Sequence, residues 1–155
     1  MKSMLMALAV TCAAGQACAA TSSGYAALAV GALVGSYSPL LRAPRKSALS
    51  KVLAGNAGSV SRVAPIRVKA DSVVCHAGDV DIGNFGCDLK FGAKTEHLVG
   101  RQANELFASL GEMGVATDGA AGTIYVSVHG LQCMIDPAKV SHRDGGGADC
   151  VYALQ

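Results

Sequence analysis

Four cysteines, Cys75, Cys87, Cys133 and Cys150, constrain this chain more than any other feature. They form two closely spaced pairs, and an even set behind an export signal reads as a disulfide framework. Two more, Cys12 and Cys18, fall in an apolar, Ala-rich N-terminus. Residues 1–19 carry the parts of a cleavable signal peptide: Lys2 as a positive start, an uncharged apolar run from Met4 to Ala14, and Ala17-Cys18-Ala19 with small residues at the cut. The rival reading is an uncleaved membrane anchor, because residues 25–34 are apolar again. Neither run reaches the ~18 apolar residues of a spanning helix, so no transmembrane span is expected in the mature chain. A lipid-modified Cys18 is a further rival, but no Leu stands three residues before it. Export and paired cysteines together point to an oxidising compartment, periplasmic or extracellular.

After cleavage about 136 residues remain, one domain of ordinary size. Aromatic residues make up 5% of the chain and Trp is absent, so a core of Ala, Val and Leu buries little area per residue. Two disulfides, each worth roughly 2–4 kcal/mol, offset that shortage. The cysteines thus have a sufficient structural role, and no cofactor is called for.

Charge is lopsided along the chain. Arg42, Arg45, Lys46, Lys51, Arg62, Arg67 and Lys69 precede the first acid, Asp71, and all 11 acidic residues lie at or beyond that position. The favoured reading is that the basic part docks on the acidic part of the same chain. The other is a surface for anions such as lipid headgroups, centred on Arg42, Arg45, Lys46 and Lys51. Without interleaved aromatics the cluster does not resemble a nucleic-acid surface.

Residues 23–37 read as a helix weakened by Gly24, Gly31 and Gly35, and 43–54 as a second helix with Leu49, Val52 and Leu53 on one face. Residues 55–64 have linker composition. From Pro65 the pattern alternates: Ile66, Val68 and Ala70 share a face, and the phase shifts near Ser72, which predicts a bulge or bend. Cys87, Leu89 and Phe91 mark a second strand. Residues 95–113 read as a helix, from Val99, Ala103, Leu106, Leu110 and Met113 at spacings of three and four, with Thr95 as cap and Arg101–Glu105 as a pair. Residues 121–131 fit helix or strand; the reading leans to a short helix entering a strand at 131–136, with a last strand at 148–154. The fold class is α+β: a small disulfide-stapled domain over 65–155, ordered ββααββ, with helices packed on an antiparallel sheet. A helical, basic segment and linker at 20–64 precede it. Four cysteines allow three connectivities; neighbour pairing, 75–87 and 133–150, suits two hairpins.

Candidate chemistry is sparse. Asp79 and Asp81 on alternate residues, with His76 nearby, are weak metal-ligand candidates; Gly83 and Lys90 stand where a calcium loop needs oxygen ligands. No GxSxG or HExxH is present, and the glycines at 145–147 lack the Lys of a phosphate loop. His76, His97, His129 and His142 have no local context that marks a catalytic base. The reading is therefore a non-catalytic exported binding or accessory protein that meets a protein or envelope component through loops 76–86 and 137–147. The alternatives are a small exported hydrolase with a dispersed site and an envelope-associated protein using segment 42–69.

Overall fold

In the computed structural model, residues 18–78, 85–113, 115, 117–120, 123–141 and 143–154 are described. The alternation that begins at Pro65 builds the centre of the molecule. β2 (Ile66–Gly78) pairs on one side with β3 (Phe85–Phe91) and on the other with β6 (Thr123–Ile135). β4 (Lys94–Val99) extends the sheet beyond β3, while β7 (Ala148–Leu154) and β1 (Cys18–Ser23) extend it beyond β6. The order is β1-β7-β6-β2-β3-β4, all antiparallel, and β5 (Thr117–Ala120) forms a hairpin with the start of β6.

Three helices cover one face of this sheet. α1 (Tyr25–Tyr37) packs on β7, β6, β1 and β2, and also on α2 (Ala43–Leu53) and α3 (Gly100–Glu112). Enclosed on all sides, it is buried continuously from Ala26 to Gly35. Its glycines make that fit. A Cβ on Gly31 would meet Cys133 Cβ at 3.0 Å and Ile135 Cδ1 at 2.9 Å, and one on Gly35 would meet Leu49 Cδ1 at 2.4 Å. α3 instead buries one stripe, Ala103, Leu106 and Leu110, against β3 and its neighbours. A single core runs from Ala20 to Tyr152.

The chain is α+β, but the order beyond residue 65 is βββαβββ and not ββααββ. Two differences from the sequence expectation account for this. Residues 94–99 are a strand and not the start of the helix, because Gly92, at φ 62°, turns the chain in two residues and pairs Phe91 with Lys94. Val99, expected on the buried helical face, is 75% exposed, while Leu98 is buried. The second difference is at 123–135, which is one strand and contains no helix.

The phase shift near Ser72 explains that misreading. Ala70 and Val73 are both buried, so β2 reverses its faces across Asp71 and Ser72. β6 reverses at the matching point, with Val128 and Leu131 both buried and Gly130 between them at φ 57°. A left-handed backbone is the conformation glycine adopts without a Cβ clash. Two strand phases joined by this reversal place Ile124, Val128 and Leu131 at spacings of four and three, the signature of a helix face.

Each cysteine pair joins directly opposed strand residues. Cys75 and Cys87 face each other across β2 and β3, Cys133 and Cys150 across β6 and β7, and both pairs are disulfide-bonded with Cα atoms 4.1 Å apart. All four side chains point to the helix-covered face and are buried. The two disulfides fit folding in an oxidising, non-cytoplasmic environment. No helix among the described residues is long and apolar enough to cross a membrane.

Candidate functional site: the uncovered sheet face

Alternation that buries one face of a strand delivers the other face to solvent. No described helix covers that other face, so every second residue of β2, β3, β4, β6 and β7 is displayed together. Strand register arranges them in rows. One row runs His97, Asp88, Val74, Ser127 across β4, β3, β2 and β6. Beside it lie Gly86, His76 and Tyr125, and on its other side Thr95, Lys90, Ser72, His129 and Ala153. Beyond the phase reversal the same face continues through Lys69, Gln132 and Val151, then Arg67, Met134 and Asp149.

Three of the four histidines therefore share one surface, which their separation in sequence does not suggest. His76 lies over Gly86: a Cβ there would stand 2.5 Å from His76 Cε1. Its ring is also tilted against Tyr125, with centroids 6.2 Å apart. His97 Nδ1 and Asp88 Oδ1 form a hydrogen-bonded pair. Both side chains are at least half exposed, so solvent screening keeps the pair's contribution to stability small.

This constellation does not assemble a known catalytic relay. In a Ser-His-Asp arrangement the imidazole stands between hydroxyl and carboxylate. Here Asp88 lies between His97 and Val74, and Val74 separates it from Ser127. Ser72 and His129 are directly opposed, yet their side chains make no hydrogen bond among the described residues, and the neighbours in their row are Lys90 and Ala153. No group of three His, Cys, Asp or Glu close enough to hold a metal occurs among the described residues. His76 lies on β2; Asp79 and Asp81 fall outside the described residues.

Among the described residues two titrations depart from ordinary values, and neither belongs to this face. The Gly146 amide, followed by the Ser141 hydroxyl, holds the exposed Asp144 carboxyl below its usual range within the loop before β7. Burial raises Tyr152, whose hydroxyl donates to the Met113 carbonyl at 2.9 Å. Hollows also lie elsewhere. One of about 660 Å³ sits among the helices with Tyr25, Leu33, Tyr37, Leu53 and Arg101 in its walls. Smaller ones of about 540 and 210 Å³ are lined around Lys51 and around Leu40 with Lys69, and none of the three has a histidine in its wall.

Docking of the seven early bases on the acidic part of the chain finds no ion pair among the described residues. The ion pairs among the described residues are Lys94–Glu96, His97–Asp88 and Lys139–Asp136, and none involves them. The expected Arg101–Glu105 pair is likewise not formed. Nor do the seven form one arm. Arg42, Arg45, Lys46 and Lys51 belong to α2 and its cap on the helix side, whereas Arg67 projects from the uncovered face.

Sequence reasoning missed the Asp88–His97 pair because it missed β4. It missed the shared surface of His76, Tyr125 and His129 because it left residues 121–131 open between helix and strand and leaned to a short helix there. The signal was present in Gly92 between Phe91 and Lys94, a two-residue hairpin turn. Compared with protein-family models, with curated proteins and with solved structures, the chain matches none.

Proposed function

We propose that this is an exported, non-catalytic binding or accessory protein, periplasmic or secreted, that meets its partner through the uncovered face of the sheet. The observation that carries the reading is the composition of that face. Tyr125 and Val151 are 46% and 48% exposed there, among His76, His97, His129, Ser127 and Gln132. Exposed apolar side chains surrounded by hydrogen-bonding groups are the make-up of a recognition surface. Disulfides beneath the face hold β2 to β3 and β6 to β7, so little conformational freedom is lost on association. The contact region thus moves from the loops toward the strands between them. Loop 137–147 is already committed to internal turns, with Asp136 accepting from Ala138 N–H and Asp144 from Gly146 N–H.

The test is capture of the partner by the processed protein from its own compartment. Replacing Tyr125 and Val151 together with Ser is expected to weaken capture at least tenfold, as loss of two exposed apolar anchors of about 1 kcal/mol each implies. Folding should be unchanged, because neither side chain belongs to the core. Undiminished capture by the folded variant would reject the reading.

A further inference from the structure

The unpaired bases of α2 directly follow, in the chain, a leucine that is mostly exposed. Leu40, in the turn between α1 and α2, is 71% exposed. Its placement is fixed from below. Ser38, only 1% exposed, accepts the Leu40 N–H on its hydroxyl at 3.2 Å and the Leu41 N–H on its carbonyl at 3.4 Å. Leu41 turns inward and packs against the core, while Leu40 is held outward.

Basic residues follow at once. Arg42 caps α2 and Arg45 lies in its first turn, both exposed, with Lys46 beside them half-buried. Ala48, Leu49 and Val52 seat the following turns of the helix in the core, so Arg42 and Arg45 at its start are held rigidly at the surface. No acid occurs before Asp71, and the Asp71 carboxylate is engaged by the Gly92 N–H. The positive charge at this corner is thus left without an internal partner among the described residues.

From this juxtaposition we infer that the corner formed by Leu40, Arg42, Arg45 and Lys46 docks on an anionic lipid bilayer. One apolar tip enters below the headgroups while the guanidinium and ammonium groups meet lipid phosphates. Charge complementarity names the anion, and Leu40 favours a bilayer over a soluble polyanion, which has no apolar layer to receive it. The membrane then meets the α1–α2 turn, and the His76 and Tyr125 end of the uncovered face stays free for a partner. The inference rests on the reading of an exported protein but not on the sheet-face contact, so each can fail separately.

The experiment is sedimentation of the processed protein with phosphatidylcholine vesicles containing about one-third phosphatidylglycerol. Binding is expected to the mixed vesicles, to be absent with pure phosphatidylcholine, and to fall steeply between about 0.05 and 0.5 M salt. The double variant Arg42→Glu/Arg45→Glu should weaken partitioning about 100-fold, and Leu40→Ser about tenfold. Arg67→Glu/Lys90→Glu changes the net charge equally but on the uncovered face, and should cost no more than about threefold through long-range screening. Absence of binding, or equal binding to neutral vesicles, would overturn the proposal. So would equal loss in the two double variants, or full binding by Leu40→Ser together with equal capture by a heparin column, which would identify a soluble polyanion instead. An unchanged thermal transition in each variant keeps misfolding from imitating the result.

Discussion

Helix α1 lies over the Cys133–Cys150 bond and helix α3 over Cys75–Cys87, yet the two share little else. Cys150 Sγ is 3.5 Å from the Ala27 carbonyl, and Cys87 Sγ 3.5 Å from the Ala103 carbonyl. α1 is apolar on every side and touches four strands and both other helices. α3 buries one stripe and leaves Arg101, Gln102, Asn104 and Ala108 to solvent. Surroundings explain the contrast. A helix at the centre of a layer has no solvent face to mark with polar residues, whereas one at its margin does. The same position makes α1 rely on small residues for close approach, and leaves α3 free of that requirement.

Polar substitution is the harshest way to break this comparison. Val30→Asp places a carboxylate at a fully buried α1 site and is expected to cost more than about 4 kcal/mol, enough to prevent folding. Ala108→Asp on α3 should change stability by less than about 0.5 kcal/mol. Urea unfolding of the two variants decides the matter, and similar values would contradict the distinction.

Removing either disulfide as a Cys→Ala pair should cost about 3 kcal/mol. The two bonds span 12 and 17 residues, too similar for loop length to separate them. A pair whose loss leaves the thermal midpoint unchanged would show that its covering helix alone holds that half. Glycine substitution sharpens the contrast further, because its sign should differ. Gly111→Ala in α3 meets no atom within 4 Å and should stabilise by about 0.5–1 kcal/mol through helix propensity. Gly31→Ala in α1 meets Cys133 and Ile135 and should destabilise by about 1 kcal/mol despite the same propensity gain. Gain of stability at both positions would show that α1 is not tightly seated.

The smallest effect concerns Tyr152. Its folded pKa is raised by burial, so the stability it contributes is complete below its unfolded value near 10 and is lost as pH rises through the folded value. Tyr152→Phe should flatten that alkaline decline and cost about 1 kcal/mol at neutral pH, by leaving the Met113 carbonyl without its donor. An alkaline limb unchanged in the variant would assign the decline to other groups.

These features were unequally legible in the sequence. Strict alternation disclosed β2 and β3, and a polar face opposite Leu106 and Leu110 disclosed the body of α3. Composition, not periodicity, marked α1, since a wholly buried helix carries no amphipathic signal. β6 was hidden by its own reversal at Gly130, which turned period two into the spacing of a helix. β1 was hidden by composition, because Cys18-Ala19-Ala20-Thr21-Ser22-Ser23 has one β-branched residue, Thr21, and no aromatic, and is held by pairing with β7. The candidate surface was the least legible part. His76, Tyr125 and His129 come together through register between strands distant in sequence, a long-range property that no local pattern encodes.

The claim that the uncovered sheet face is the working surface is tested most directly by comparing the two sides of the molecule with one probe. A photocrosslinking side chain is placed at Ser127 on β6 or at Asn104 on the exposed side of α3, and the processed protein is irradiated in its own compartment. The account predicts a discrete crosslinked species from Ser127 and none from Asn104. A crosslink from Asn104 alone, or the absence of any crosslink from Ser127, would contradict it.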